Sequence, residues 1–179
     1  MDKIIPFSHK LIKEVVNNCD TCVDMTCGNG FDTLFLSEIA KEVYAFDIQE
    51  VAVNNTKEKT KDKNNVKVIL DSHENVLKYV KGPIKAAIYN LGYLPCGDKT
   101  LFTSPISTIA SISSLLEILD LNGRIVIVCY PGFSEGKEES LKVEEYLKTL
   151  DQKKYSVVTY RFINQINNPP FIFAVERDK

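Results

Sequence analysis

The seven residues from Asp24 to Gly30 place a carboxylate, a threonine hydroxyl and two glycines in one short stretch. Residues 21–23 before it are typical of the end of a buried strand, and residues 31–40 carry apolar side chains at helical spacing. A glycine turn between a strand and a helix lets the backbone approach a ligand closely and directs free N–H groups of the helix start at an anion. The stretch therefore predicts a binding turn for a ligand that carries negative charge.

The order of residues in this turn resembles the acid-x-Thr-x-Gly-x-Gly pattern of methyltransferases that use S-adenosylmethionine (SAM). Asp24, Cys27, Gly28, Asn29 and Gly30 occupy that pattern here. A turn for a nicotinamide dinucleotide requires a third small residue three positions after the second glycine, where this chain has Thr33. The turn therefore predicts SAM as the cofactor.

Asp47 ends a second predicted strand, residues 42–47, and follows Gly30 by 17 residues. An acid at about 20 residues from such a turn accepts hydrogen bonds from the ribose hydroxyls of a bound nucleoside. A helix N-cap aspartate is the alternative interpretation of any single acid. The position after the appropriate strand favours the ribose contact for Asp47.

A third strand, residues 66–70, is followed by Asp71, Ser72 and His73. Ligands of a parallel sheet bind outside the carboxyl ends of its strands, so this loop is predicted to lie over the adenine. A lone histidine more often has a structural role. His73 is a candidate through its position only.

The strand predicted over residues 84–90 ends at Asn90 and leads into a loop with Tyr93 and Pro95. This resembles the Asn-Pro-Pro-Tyr loop of amine and amide N-methyltransferases. An Asn side-chain oxygen and the next backbone carbonyl can accept hydrogen bonds from an amino group and orient its lone pair, while the aromatic ring packs on the substrate. The alternative is a plain Gly/Pro turn, although ten successive residues are many for a connection.

The remaining patterns predict one α/β domain over residues 1–179, Rossmann-like, with a mostly parallel seven-stranded sheet and helices on both faces. An amphipathic helix capped by Ser8 is expected over residues 4–18. A continuous apolar strand over residues 124–130 is expected in the sheet centre, after a helix that Asn122-Gly123 ends. The other expected elements are helices over residues 50–63, 107–119 and 137–150, and an antiparallel C-terminal hairpin of residues 155–163 and 171–176.

Composition restricts the cellular context. With 44% hydrophobic residues the chain can form a real core, it has no apolar run long enough to span a bilayer, and its first six residues do not resemble a signal peptide. Five cysteines without a framework spacing indicate a reducing, cytoplasmic location, and the Cys19-x-x-Cys22 pair is interpreted as structural, with no metal site. A net charge of −2 means that any nucleic-acid partner must meet a local basic surface.

Four blocks together resemble the YtqB/MnmM family along nearly the whole chain: Asp24 to Thr33, Tyr44 to Gln49, Asn90 to Lys99, and Phe162 to Phe171. The resemblance implies a class I methyltransferase that uses SAM to convert 5-aminomethyl-2-thiouridine at the tRNA wobble position to 5-methylaminomethyl-2-thiouridine. It also implies a small, cytoplasmic and commonly dimeric protein that binds the anticodon region of tRNA.

Roles for individual residues follow from the same resemblance. The Gly28–Gly30 turn and the Cys27 backbone would hold the methionine part of SAM, and Asp32 and Thr33 would cap the helix there. The remaining assignments are Asp47 and Gln49 for the ribose, Ser72 and His73 for the adenine, Asn90 and Tyr93 for the acceptor amine, and Asp98 for its proton. Candidate tRNA contacts are Lys57 to Lys63, Lys99, Lys153, Lys154 and Arg161.

The chain departs from the family in its substrate half. Where the family has Tyr-His-Gly-His after the fifth strand, this chain has Tyr130-Pro131-Gly132-Phe133, and Cys96 replaces a usual glycine or lysine. Two alternatives therefore stay open. One is a methyltransferase for another RNA site or for a small-molecule amine, and the other is a catalytically silent module that binds SAM or RNA.

Overall fold

The computed structural model describes residues 1–92 and 103–179. The predictions for Tyr93, Pro95, Cys96, Asp98 and Lys99 lie outside the described residues. Within those residues, strands and helices alternate along most of the chain. The helices are α1 (Ile4–Lys13), α2 (Phe31–Ser37), α3 (Glu50–Lys59), α4 (Val76–Tyr79), α5 (Pro105–Ile118) and α6 (Ser134–Leu147), and a 3-10 turn spans His73–Asn75.

The described residues contain one seven-stranded sheet with the order β3-β2-β1-β4-β5-β7-β6. Its strands are β1 (Thr21–Asp24), β2 (Glu42–Asp47), β3 (Val66–Leu70), β4 (Ile84–Asn90), β5 (Leu119–Cys129), β6 (Tyr155–Tyr160) and β7 (Phe171–Arg177). The first five pair in parallel, and β7 pairs antiparallel with both β5 and β6. The predicted Rossmann-like sheet with a C-terminal antiparallel hairpin is confirmed.

The central strands are buried on both faces, as continuous apolar runs predict. In β5, Ile125 and Ile127 belong to the core that α4, α5 and α6 cover, while Val126 and Val128 belong to the core under α1 and α2. Strands β2 and β3 lie on one side of β1, and β4 and the later strands lie on its other side, so the strand order reverses between β1 and β4. This reversal leaves a crevice at the carboxyl ends of β1 and β4, which is where such sheets bind ligands.

Two predictions about helix ends were wrong. Helix α1 already begins at Ile4, and Ser8 lies inside it, where its hydroxyl donates to the carbonyl of Ile5 at 2.8 Å instead of capping the first turn. The Asn122-Gly123 pair does not end α5, because β5 begins at Leu119 and this pair forms an irregularity within the strand. Asn122 has a φ of 55°, which interrupts the pairing with β4 without ending the strand.

The cysteine pair behaves as the structural interpretation predicts. Cys22 is buried in β1, and burial, followed by the charge of Asp20, raises the pKa of its thiol to about 12. Cys19 is exposed and both thiols are free. A thiol with such a pKa carries almost no thiolate at neutral pH, so Cys22 acts as an apolar core residue. Across the described residues, no helix is both long and apolar enough to cross a membrane.

Candidate functional site

The glycine turn between β1 and α2 is closed by its own backbone. The N–H of Gly30 donates to the carbonyl of Cys27 at 2.7 Å, and the N–H of Cys27 donates to the carbonyl of Phe46 in β2 at 2.8 Å. Gly28 and Gly30 adopt positive φ angles of 50° and 76°. Both glycines are therefore needed for the path of the chain, because other L-residues rarely adopt this conformation.

Gly30 is also restricted by its neighbour on α3. A Cβ atom on Gly30 would lie 2.9 Å from the Cα of Thr56, which is closer than van der Waals contact allows. The side chain of Thr56 in turn donates to the carbonyl of Gly28 at 3.1 Å. The start of α2 therefore packs directly against the backbone of α3.

We expect Gly30→Ala to lower the stability of the protein by about 2–4 kcal/mol, because it adds left-handed backbone strain to a steric clash. For a chain of this size the melting temperature should fall by about 5–15 °C. Gly82→Ala is the matched control, since a Cβ at Gly82 meets no atom within 4 Å. Thermal unfolding monitored by circular dichroism measures both, and equal melting temperatures would contradict this explanation of the turn.

The predicted capping of α2 by Asp32 and Thr33 was wrong. The residue before the helix is Gly30 in the left-handed conformation, and no side chain caps it. Thr33 instead donates from its hydroxyl to the buried carboxyl of Asp24 at 2.6 Å, and that carboxyl also accepts from the N–H of Thr26 at 3.2 Å. Burial, followed by the charge of Asp32, raises the pKa of Asp24 to about 8. Asp24 and Thr33 thus stabilise the turn by a buried hydrogen bond between the end of β1 and the start of α2.

Asp47 joins the glycine turn to the loop after β2. One carboxylate oxygen accepts from the N–H of Gly28 and the other from the N–H of Gln49, both at 3.0 Å. Burial raises the pKa of Asp47, and these backbone hydrogen bonds oppose that shift. A carboxylate has about four lone-pair sites, so Asp47 is not saturated by its backbone hydrogen bonds. Asp47 lines the cavity and can accept further hydrogen bonds, so the structure is compatible with the predicted contact between its carboxylate and a ribose.

The loop after β3 places Ser72 and His73 at the same cavity. Asp71 accepts from the N–H of Ser72 and from the side chains of Asn75 and Tyr79, which fixes the start of this loop. Burial lowers the pKa of His73 to about 4, so its ring is neutral at neutral pH.

His73 has one ring nitrogen without a hydrogen-bond partner among the described residues. Its ring hydrogen-bonds to the backbone of Met25, whereas Nε2 is buried without a partner in the described part of the chain. The ring must therefore use Nδ1 for Met25, which leaves Nε2 as an acceptor. The residue lines the cavity although this nitrogen is buried, and the adenine contact stays a prediction.

Asn90 is held from three sides at the end of β4. Its backbone N–H donates to the hydroxyl of Thr26 at 2.7 Å, and its side-chain Nδ2 donates to the carboxylate of Asp32. The hydroxyl of Tyr130, directly after β5, donates to Asn90 Oδ1 at 3.2 Å. A carboxylate can only accept hydrogen bonds, so Asp32 determines that the amide presents Oδ1 and not Nδ2 toward Tyr130.

Asp32 makes a second contact that the sequence reasoning missed. His9 of α1 lies with Nε2 at 2.5 Å from Asp32 Oδ1 and stacks on Phe35 with ring centroids 4.0 Å apart. Nothing in the motif spacing points to His9, which precedes Asp32 by 23 residues. The amphipathic pattern of α1 was the available signal, because it predicts that this helix packs on the sheet near the turn.

These loops surround one cavity of about 990 Å³, which is the size of a site for a cofactor together with part of a substrate. Of the predicted site residues, those that line it are Cys27, Gly28, Asn29, Asp32, Asp47, Gln49, Ser72, His73 and Asn90. Asp24, Gly30 and Thr33 support the turn and do not line the cavity. The sequence reasoning missed the wall formed by residues 167–170, between β6 and β7.

The residues present fit SAM. Gly28 of the glycine turn, Asp47 and His73 all line one cavity, so groups suited to an amino acid part, a ribose and an adenine share one site. In the parts of the chain that the structure describes, no group of three or more His, Cys, Asp or Glu side chains could hold a metal ion.

Comparison with known proteins agrees with this geometry. The family model described as "Putative rRNA methylase" matches residues 43–176. An Arabidopsis thaliana protein named "tRNA (mnm(5)s(2)U34)-methyltransferase, chloroplastic" is 29% identical over 192 residues, which cover 98% of this chain and 70% of the relative.

Two solved structures are similar over nearly their whole lengths. One from Streptococcus mutans, described as "a putative methyltransferase" in complex with SAH, is 42% identical with a TM-score of 0.94, and 99% of each chain is covered. The other, described as a "putative rRNA-methylase" from Clostridium thermocellum, is 43% identical with a TM-score of 0.96, and 99% of this chain and 98% of that chain are covered.

Proposed function

Because the chain belongs to the family described as "Putative rRNA methylase", we propose that it is an RNA N-methyltransferase whose acceptor is the amine of 5-aminomethyl-2-thiouridine at the tRNA wobble position. The product is 5-methylaminomethyl-2-thiouridine. The observation that carries this proposal is the fixed amide of Asn90, which presents an acceptor oxygen at the cavity wall. An acceptor oxygen suits a nucleophile that still carries N–H groups.

SAM is the cofactor, as the sequence predicted, and a structure 42% identical to this chain contains SAH. When bound, SAM supplies an electrophilic methyl group on a sulfonium. Cys27, Gly28 and Asn29 line the cavity where its amino acid part is expected, and Asp47 and Gln49 where its ribose is expected. Asn90 ends β4 at the switch point beside this turn and orients the amine toward it.

The choice of a tRNA acceptor is supported by the Arabidopsis relative, whose name specifies the same modified nucleoside. The alternatives, another RNA site or a small-molecule amine, predict different products. Nucleoside mass analysis of tRNA and rRNA from cells with and without the protein separates them. The proposal requires that, in cells without the protein, 5-methylaminomethyl-2-thiouridine disappears from tRNA and 5-aminomethyl-2-thiouridine accumulates. No methylated nucleoside should be lost from rRNA in those cells.

The proposal includes the anticodon region as the part of tRNA that is bound, action in the cytoplasm and a homodimer. These come from the resemblance of four sequence blocks to a family with those properties. Light scattering of the purified protein tests the dimer, and a mass equal to one chain of 20.2 kDa would refute it.

The lysines predicted to contact tRNA are not equivalent in the structure. Lys59 extends its ammonium over the ring of Phe31 at 3.9 Å, and Phe31 lines the cavity. Lys61 instead pairs with Glu58 at 2.6 Å, and Lys63 lies 3.8 Å from Glu38. Lys59 is therefore the lysine of this group at the rim of the cavity, beside an aromatic ring that is 67% exposed.

We expect tRNA affinity to fall steeply with salt, because each phosphate contact releases counterions. Lys59→Gln should reduce the slope of log K against log salt by about 0.7–0.9, the contribution of one phosphate. Lys81→Gln is the control, since Lys81 precedes β4 at the opposite edge of the sheet. Fluorescence anisotropy at several salt concentrations measures the slopes. A flat salt dependence of the wild type would favour a small-molecule substrate.

A further inference from the structure

Methylation of an alkylamine requires a proton acceptor. An alkylammonium has a pKa near that of lysine, about 10.4, so the acceptor group arrives protonated at neutral pH and has no lone pair for attack. The amide of Asn90 can orient this group but cannot take its proton. Asp98, the residue that the sequence suggested for this role, lies outside the described residues.

Asp32 lies where a proton acceptor for the substrate ammonium is needed. It lines the cavity next to Asn90, and its two carboxylate oxygens bind Asn90 Nδ2 on one side and His9 Nε2 on the other. The side chain is only 10% exposed, whereas His9 is 25% exposed. The three side chains come from α2, the end of β4 and α1, and they form a continuous line from the cavity to the protein surface.

The titratable groups around Asp32 are one base and two acids. Three titratable groups face it: His9 from α1, Asp24 from β1 and Tyr130 from the end of β5. After burial, the charge of Asp32 is the cause that raises the pKa of both Asp24 and Tyr130. His9 is the only basic side chain within ion-pair distance of Asp32 among the residues that the structure describes. The carboxylate of Asp32 lines the cavity beside Asn90, where it can attract a cation.

We propose that Asp32 accepts the proton of the substrate ammonium and that His9 passes it to solvent; this rests on the proposed amine acceptor. The ammonium N–H bond breaks and the proton moves to the carboxylate of Asp32, which leaves a neutral amine held by Asn90 Oδ1. In the resting state Nε2 of His9 carries a proton and donates it to the carboxylate, so the ring first exchanges this proton through solvent to become the Nδ1–H tautomer. The proton of Asp32 then moves to the free Nε2, and the imidazolium releases its Nδ1 proton to water, which restores the resting state. The amine nitrogen forms its bond to the methyl carbon as the carbon–sulfur bond breaks, and the product is a methylated ammonium.

The pH dependence of kcat/KM distinguishes this role from a structural one. With Asp32 as acceptor, the wild type uses the abundant ammonium form, so kcat/KM should be level from about pH 8 to pH 9. The Asp32→Asn variant keeps hydrogen-bonding groups for both neighbours but cannot accept the proton. It therefore reacts only with the small fraction of substrate whose amine is already neutral. Its kcat/KM should be about 10²-fold lower at pH 8 and should rise about tenfold per pH unit toward the pKa of the amine.

His9→Ala with added imidazole provides a second test that does not depend on Asp32 variants folding. The stacked ring of His9 leaves a slot beside Phe35 when it is removed, so imidazole should restore at least half of the lost rate in a concentration-dependent way. SAM affinity of His9→Ala, measured by calorimetry, should stay within about threefold of wild type, because His9 lies on α1 and does not line the cavity.

Each outcome decides the proposal. A level profile in Asp32→Asn together with a rising one in Asp98→Asn would overturn it and assign the proton to Asp98. Loss of rate in His9→Ala without rescue by imidazole would remove His9 from the path. If the wild-type protein itself does not methylate tRNA that carries the aminomethyl group, the proposed function fails instead. The wild-type reaction therefore separates the two failures.

Discussion

Asn90→Ala should reduce methyl transfer to tRNA by at least about 10²-fold, since a nucleophile that is misplaced by about 1 Å can react about 10²-fold more slowly. The structure explains how Asn90 is positioned: Asp32 and Tyr130 hydrogen-bond to its side-chain amide, and Thr26 accepts from its backbone N–H. SAM affinity should be nearly unchanged, because Asn90 lies beyond the residues expected to bind the cofactor. Single-turnover kinetics measures the first quantity and calorimetry the second.

Asn54→Ala is the matched control for this variant. Asn54 lies on the exposed face of α3, so its removal should change neither turnover nor SAM affinity. Tyr130→Phe should fall between the two, because it removes only the hydroxyl that donates to Asn90 Oδ1. If Asn90→Ala keeps the turnover of wild type, the amide does not orient the acceptor and the loop after β4 is only a turn.

Asp47→Ala should weaken SAM binding by at least tenfold. Two ribose hydroxyls donating to one carboxylate would contribute about 1.5–3 kcal/mol each. Loss of Asp47 also frees the N–H groups of Gly28 and Gln49, so the glycine turn should lose about 1–2 kcal/mol of local stability. Titration calorimetry with SAM measures the affinity, and melting of the protein without SAM measures the second effect.

Glu50→Ala is the control with the same change in charge. Glu50 is exposed in the first turn of α3, three residues from Asp47, and does not line the cavity. It should bind SAM as tightly as the wild type. Equal SAM affinities for Asp47→Ala and the wild type would mean that the ribose is held elsewhere and that Asp47 serves only to join the two loops.

The strands were predictable because their signals are local. The predicted limits of β2, β3 and β4 agree with the structure, since each is a short apolar run between turn residues. The same locality explains the errors at helix ends. Ser8 resembles an N-cap, yet α1 already begins at Ile4, where apolar residues pack on the sheet. Tertiary packing, which spacing does not report, determined that start.

The candidate site was predictable only where its residues follow a strand. Asp47, Ser72 and Asn90 line the cavity because parallel strands bring their carboxyl ends to one edge. His9 and Tyr130 reach the same place from α1 and from the end of β5, and their contacts with Asp32 and Asn90 span 23 and 40 residues. The first contact depends on how α1 packs on the sheet, and the second depends on β4 and β5 being neighbours. They become visible only when the fold is known.

The central claim is that the amine of 5-aminomethyl-2-thiouridine in tRNA is the methyl acceptor. Purified protein incubated with SAM and tRNA that carries this nucleoside, followed by mass analysis of the digested nucleosides, tests it directly. We predict that 5-methylaminomethyl-2-thiouridine forms at the expense of the aminomethyl nucleoside and that Asn90→Ala protein forms almost none. Unchanged 5-aminomethyl-2-thiouridine after incubation with protein that binds SAM would contradict the claim.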